Sequence, residues 1–441
     1  RATEQQASST GNDSTPAGGH HSPPQPLGNP RTSGSQAHGS ARPGGPSVRA
    51  LLDLLAPADL VDQMLNDWFK YAHPLAPILH RRDLLHRLHD NGQHHDPVFT
   101  AMVVSVISVT ISTLRRRSVE SYPAITLQRC ICIIEDHQLL ELRGRYTLDW
   151  CIAWYHLASA RVVDFGYDEF HVYRAIKESM AGVNYLLCYD DDEQTYEDKE
   201  RLKRLYWLLY MWQVASELRG QPHLVFLPFN QDLESLRPRV IADSDLYPAQ
   251  TPRDYTPYWP EDDIPYVDGF GRLVDVFLVW EKTKVDMAYK PSQETLLRAV
   301  RRIQSIMDDL PPEIRWQGGL SRFPRGDWGH EVQMVNILIT ALSLKSNLLQ
   351  HLGSTLPGLT QRHLARIVRD VLEILDHVPQ SVLETNGYSV VMKIRDIGAA
   401  YLAEMDVGMS GQRAVEDSLV LQLLAKLDSL DLRPTSIRVA L

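Results

Sequence analysis

The chain has 441 residues, 44% of them hydrophobic, and a formal net charge of -10. That length exceeds the ~100–200 residues of a usual domain and suits one large body or two intimate ones. Three of the 45 Lys/Arg and two of the 55 Asp/Glu fall in residues 1–48, which leaves 42 cations against 53 acids in the remainder. A body so acidic is a poor duplex ligand, because duplex affinity rests on Lys and Arg neutralising phosphates. Four cysteines, Cys130, Cys132, Cys151 and Cys188, make no disulfide framework and fit a reducing compartment. With no N-terminal apolar core of a signal and no run of ~18 apolar residues, neither secretion nor a membrane span is expected. The first residue is Arg rather than Met, as expected of a fragment or a processed product.

Residues 1–48 lack Phe, Trp, Tyr, Ile and Met and are crowded with Ser, Gly, Pro and His. Such a composition buries too little apolar surface to offset the entropy of ordering, so a disordered linker or tail is expected there. From Val48 onward Leu60, Val61, Met64, Leu65, Trp68 and Phe69 recur at helical spacing. Pro57 divides that pattern into two helices, and Pro74 and Pro77 end the second.

Helical periodicity then predicts segments near 97–114, 122–141, 147–163, 168–187, 197–218, 268–289, 292–309, 329–352, 360–376, 388–405 and 413–430. Strand patterns are nearly absent, so the expected fold is all-α: a large irregular bundle of roughly a dozen helices behind the tail. Residues 238–269, rich in Pro, Asp and Tyr, form one long interruption, and loops of such length usually carry function or wrap between lobes. The expected organisation is a tail at 1–48, a motif-bearing half at 49–240, a loop at 241–267 and a helical half at 268–441. No fixed-period repeat supports a solenoid.

Several patterns invite chemistry. The acidic run Asp190, Asp191, Asp192, Glu193 suggests the carboxylate pair that holds Mg²⁺ in terpenoid-cyclising helical enzymes. Gln194 and Thr195 stand where that motif needs a further acid, and no second metal motif follows. A solvated loop with one acid capping the helix near Tyr196 is the plainer expectation. His86, His89, His94 and His95 have a spacing that permits a metal pair, but their flanks are charged and turn-forming, which favours a surface helix end. Arg115, Arg116 and Arg117 precede Ser118 as in a basophilic kinase site, making Ser118 a candidate phosphosite; the plainer reading puts cations at a helix C-terminus. No nucleophile elbow, phosphate-binding loop, zinc-protease motif or dinucleotide fingerprint is present, so no catalytic residue is assigned and an enzyme is not expected.

The segment 200–222, "ERLKRLYWLLYMWQVASELRGQP", sets eight consecutive apolar residues, Leu205 to Trp212, between charged ends. A helix apolar on every face is buried on most sides, and this one is too short to span a bilayer. With the stretch "WFKYAHPLAPILHRRDLLHRL" that precedes it at 68–88, it resembles the fungal-specific transcription factor domain, the middle homology region of the fungal zinc-cluster regulators. The motif-bearing positions are Pro74, His80 and Arg81 in the first segment, then Arg204, Tyr206, Trp207, Arg219, Gly220 and Pro222. The resemblance spans roughly 55–240 and continues to about 430 by helix pattern alone. Gln213 and Val214 stand where many relatives carry an acid–Arg pair, so an ion pair there is not expected.

This resemblance implies a regulatory, effector-sensing domain controlling RNA polymerase II transcription of metabolic genes in the nucleus. It implies a small-molecule effector held between helices near 197–218, transcription co-regulators and a homodimer as partners, and no membrane. DNA would be reached only through an N-terminal module of six cysteines around two zinc ions, which this chain does not contain, so no cofactor is assigned to the chain itself. The alternatives are a metal-dependent all-α enzyme of terpenoid-synthase type, using Asp190 to Glu193, and a protein-interaction scaffold.

Overall fold

Short polar side chains mark where the helices begin. In the computed structural model, which describes residues 45–90, 92–189, 194–220, 233–246, 264–290, 292–318, 327–353, 357–405 and 413–430, many of the helix starts can be traced to one capping residue. Ser47, Asp96, Thr126, Thr147, Thr195 and Ser292 each accept a hydrogen bond from the backbone N–H three residues on, satisfying a donor that a helix start otherwise leaves unpaired.

The helices are α1 (Val48–Asp53), α2 (Ala58–Asp67), α3 (Arg81–Asp90), α4 (Pro97–Thr113), α5 (Arg115–Ser121), α6 (Leu127–Asp136), α7 (Leu148–Phe165) and α8 (Phe170–Tyr189). They continue as α9 (Tyr196–Leu218), α10 (Asp243–Leu246), α11 (Val267–Tyr289), α12 (Gln293–Asp308), α13 (Trp328–Gly353), α14 (Pro357–His377), α15 (Gln380–Met405) and α16 (Arg413–Leu430). A π-turn, Trp68–Ala72, extends α2. Among the described residues there is no strand, so the fold is all-α.

Three local expectations change. The helix at 122–141 shrinks to α6, because Pro123 lies outside the cap at Thr126 and Gln138, at φ 51, leaves the helical region beyond its end. The cap of α9 is Thr195, whose Oγ1 accepts from Asp198 N at 3.1 Å, and not an acid of the preceding run. A hydroxyl directly ahead of the first turn with an acid at its third position has the geometry that satisfies free N–H groups. The run Asp190 to Glu193 itself lies outside the described residues, as does Pro222. The three arginines do not end α4; the chain bends by 106° at Leu114 and they open α5 instead.

One set of buried side chains runs from Val48 to Leu430. In the N-terminal half, α4 packs along α7 and α7 along α8; in the C-terminal half, α13 is surrounded by α11, α12, α14 and α15. A stretch of α13, Trp328–His351, is long and apolar enough to cross a membrane, and 83% of its apolar window is buried among those neighbours. The halves meet where Gln333 Nε2 donates to the backbone oxygens of Pro74 at 2.8 Å and Tyr266 at 2.6 Å, and where Arg116 pairs with Glu384 at 2.9 Å.

Candidate functional site

Helix α9 is apolar all round because each face meets a different neighbour. Arg201 and Arg204 face the segment 73–80, where Arg201 Nε donates to Ile78 O at 3.1 Å and Arg204 Nη1 to Pro77 O at 2.8 Å. Half a turn away, Trp207 is fully buried and its Nε1 donates to Leu236 O at 2.9 Å. Tyr206 is equally buried, with its ring edge-on to Trp207, and burial and the nearby Glu281 carboxylate raise its phenol above the usual range. Tyr210 donates to Glu281 of α11 at 2.5 Å. The remaining face, Leu208, Met211, Trp212 and Ala215, borders a cavity.

Motif residues of the two signatures, His80 and Arg204, meet on Asp243. His80 caps α3: its Nδ1 accepts from Asp83 N at 3.2 Å, which leaves Nε2–H to donate to Asp243 O at 2.9 Å. Burial pushes the imidazole down to about 4, against the pull of Asp243, so it stays neutral as that tautomer requires. The Asp243 carboxylate lies 3.2 Å from Arg204 Nη1 and 3.1 Å from His73 Nε2. Burial opposes its ionisation, but the His73 hydrogen bond and the charge of Arg204 hold it below the usual carboxylate range. Beside this group Asp149 of α7 pairs with Arg87 at 2.5 Å and with Arg201 at 3.7 Å. Most polar contacts here hold backbone and helices together, an arrangement suited to a rigid support, while His73 Nδ1 and Arg204 Nε and Nη2 have no hydrogen-bond partner among the described residues.

The other motif residues also serve the scaffold. Pro74 is buried, with its oxygen taken by Gln333; Arg81 is buried with its guanidinium 5.0 Å from the Phe69 ring centre. Arg219 caps α9 and stacks 3.6 Å over Tyr167, and Gly220, at φ 73, donates to Glu217 O as the left-handed residue that closes the helix. Ser118 is buried with its hydroxyl donated to Ile111 O at 3.1 Å, so a kinase cannot reach it in this conformation. Its three arginines are engaged, Arg115 with Asp164, Arg116 with Glu384 and Arg117 with Asp67. His86 pairs with Asp90 and His95 with Pro46 O, and among the described residues no group of three or more His, Cys, Asp or Glu is placed to hold a metal. Nor do the cysteines fit a six-thiolate zinc cluster: four are present, and Cys130 and Cys151 are fully buried, with burial pushing the Cys130 thiol up to about 12.

The cavity, of about 220 Å³, lies where the two halves meet. The π-turn, α4, α7, α9, α11, α13 and α15 all contribute to its wall. Most of the lining is apolar, with two exceptions that stand out chemically. His156 is 1% exposed, neither ring nitrogen has a partner among the described residues, and burial pushes it down to about 3. Lys393 donates to Thr340 Oγ1 at 2.7 Å and Asn336 Oδ1 at 3.3 Å, with burial pushing it down to about 8.

At the cavity wall α15 is interrupted. Gly387 has φ 65 and ψ -157, a conformation open to glycine alone, and Thr385 to Ser389 line the space. None of Asp243, His156, Gly387 and Lys393 was assigned from sequence. A glycine inside a helical pattern is a signal of sorts, but a lone His, Lys or Asp in such patterns is not. Compared with family models, curated proteins and solved structures, the chain matches none.

Proposed function

We propose that the chain is the regulatory, effector-sensing region of a fungal zinc-cluster-type transcription regulator, acting in the nucleus on RNA polymerase II transcription of metabolic genes. The observation that carries this reading is the pair of signature segments, 68–88 and 200–222, in the family's order and separation. Two features support it. An acidic body whose one arginine run, Arg115 to Arg117, is committed to internal pairs leaves DNA contact to a separate zinc-containing module. A largely apolar cavity with a few polar groups, bounded by the second signature helix and by both halves, is the kind of site through which a small effector changes how two bodies pack.

In such a device the buried network at Asp243 keeps 73–80 and α9 rigid, while the break at Gly387 lets α15 follow the occupant of the cavity. Effector binding would then bias which surface meets co-regulators or a second copy of the chain. The test is transplantation. Fused to an unrelated DNA-binding module in a fungal cell, the full chain is expected to change reporter transcription in a manner that depends on the carbon or nitrogen source. A reporter indifferent to the chain under every growth condition would sink the reading.

A further inference from the structure

The regulatory reading leaves the effector open, and the cavity's own chemistry narrows it. We infer that the cavity binds a small monocarboxylic acid with an apolar aromatic or branched body, its carboxylate set against Lys393 and within reach of His156. The assignment rests on the regulatory reading only for its biological meaning; the binding itself is a property of the cavity.

Charge comes first. Among the described residues that line the cavity Lys393 is the one Lys or Arg and none is an Asp or Glu, and its two hydrogen-bond partners, Thr340 and Asn336, are neutral. An ammonium taken out of water without a counterion is costly, and one anion from a ligand removes that cost. A single positive charge also selects a monoanion over a phosphate dianion, and it repels amines. With burial holding it near 8, the amine is still protonated at neutral pH.

The second observation is independent of the first. His156 lines the same cavity, 1% exposed, with both nitrogens unpartnered among the described residues. Buried polar atoms are rarely left so, and a neutral imidazole offers one donor and one acceptor. The donor suits a carboxylate oxygen, and the acceptor suits a hydroxyl or the like on the same molecule. The rest of the wall, including Trp68, Val109, Leu208, Met211, Trp212 and Phe277, asks for an apolar body. Size follows from volume: a cavity of about 150 Å³ takes the six carbons of benzene. One of about 220 Å³ therefore takes a ligand of roughly nine heavy atoms.

The experiment uses the full chain, thermal shift and titration calorimetry. The probes are phenylacetate and isocaproate, the corresponding neutral amides, and phenethylamine. At least one acid is expected to raise Tm in proportion to the logarithm of its concentration, with its amide at least about tenfold weaker and the amine inactive. Lys393→Met should abolish the preference for acid over amide while leaving the ligand-free Tm unchanged or higher, because a partly buried charge without a counterion in the cavity lining is replaced by an apolar chain of similar volume. Amides binding as tightly as acids, acid preference surviving in Lys393→Met, or no shift with either acid would each overturn the assignment. Should that variant fail to fold, the acid–amide comparison on the native chain decides alone. Acid binding without any reporter response would count against the regulatory reading and leave the ligand class standing; a metabolite-dependent reporter with no acid binding would do the reverse.

Discussion

Arg204 Nη1 lies 3.2 Å from Asp243 Oδ1, an ion pair between the second signature helix and a four-residue helix 39 positions later. Arg204 is 1% exposed, and the same Nη1 also donates to Pro77 O. His73 Nε2 meets the same carboxylate and His80 the backbone oxygen of Asp243, so three separate parts of the sequence meet at one buried residue. Removing it strands a guanidinium in the interior. Asp243→Ala is therefore expected to lower unfolding free energy by about 3–5 kcal/mol, the cost of breaking a buried pair from one side. Urea titration reads it; a loss under about 1 kcal/mol would show that the network is ornamental.

Trp207 sits in a well-filled site with no exposure, its ring edge-on to Tyr206 and Tyr210 and its N–H bonded to Leu236 O. Trp207→Ala should cost about 3–5 kcal/mol, comparable to the ~5–15 kcal/mol that holds a typical domain together. Thermal unfolding followed by circular dichroism should show a strongly lowered Tm or an unfolded chain. A variant of normal stability would place Trp207 in an interaction surface instead.

Mild acid should weaken the fold. His80 and His156 titrate at about 4 and about 3 in the folded chain, below the ordinary 6.5, so the unfolded state binds more protons as pH falls through 6.5. Their contribution is complete above that value and is lost on acidification, by roughly 2 kcal/mol each at pH 5. Asp396 works the other way: burial raises it to about 6, so the folded state gains protons first and offsets roughly 1 kcal/mol. Urea midpoints at pH 7 and pH 5 should differ in this direction. Replacing His156 by Leu should shrink the difference, and an unchanged difference would mean that His156 is not buried neutral.

At Gly387 a Cβ meets no atom within 4 Å, yet φ is 65 and ψ is -157. The cost of Gly387→Ala is thus torsional and not steric, of about 1–3 kcal/mol. Loss of stability of that size is the expected outcome in thermal melts. A stabilised variant would mean that α15 runs straight in solution, with the cavity wall rebuilt.

Much of the architecture was legible in residue order. The spacing of Leu202, Leu205, Leu209 and Trp212, the filling of the other faces by Trp207, Leu208, Tyr210 and Met211, and the Arg-Gly exit together describe a buried helix that ends at Leu218. Those are local properties: apolar period, caps and a left-handed glycine act within a turn or two of the chain. The start of α9 was less legible, because Thr195 and the acids ahead of it compete for the cap and only geometry decides between them.

The sequence by itself determined the all-α class, most helix bounds and the burial of the apolar stretch Leu205 to Met211, because periodicity and capping are short-range. It could not place Asp243 within hydrogen-bond reach of Arg204, His73 and His80, nor put Lys393 and His156 in the lining of one cavity. Lys393 and His156 are 237 residues apart in the numbering, and nothing in the neighbourhood of either encodes the other. Such meetings depend on how six helices and a π-turn cross, and crossing is settled by the summed packing of the whole core. That is why the scaffold was readable from the chain and the site came only with the tertiary structure.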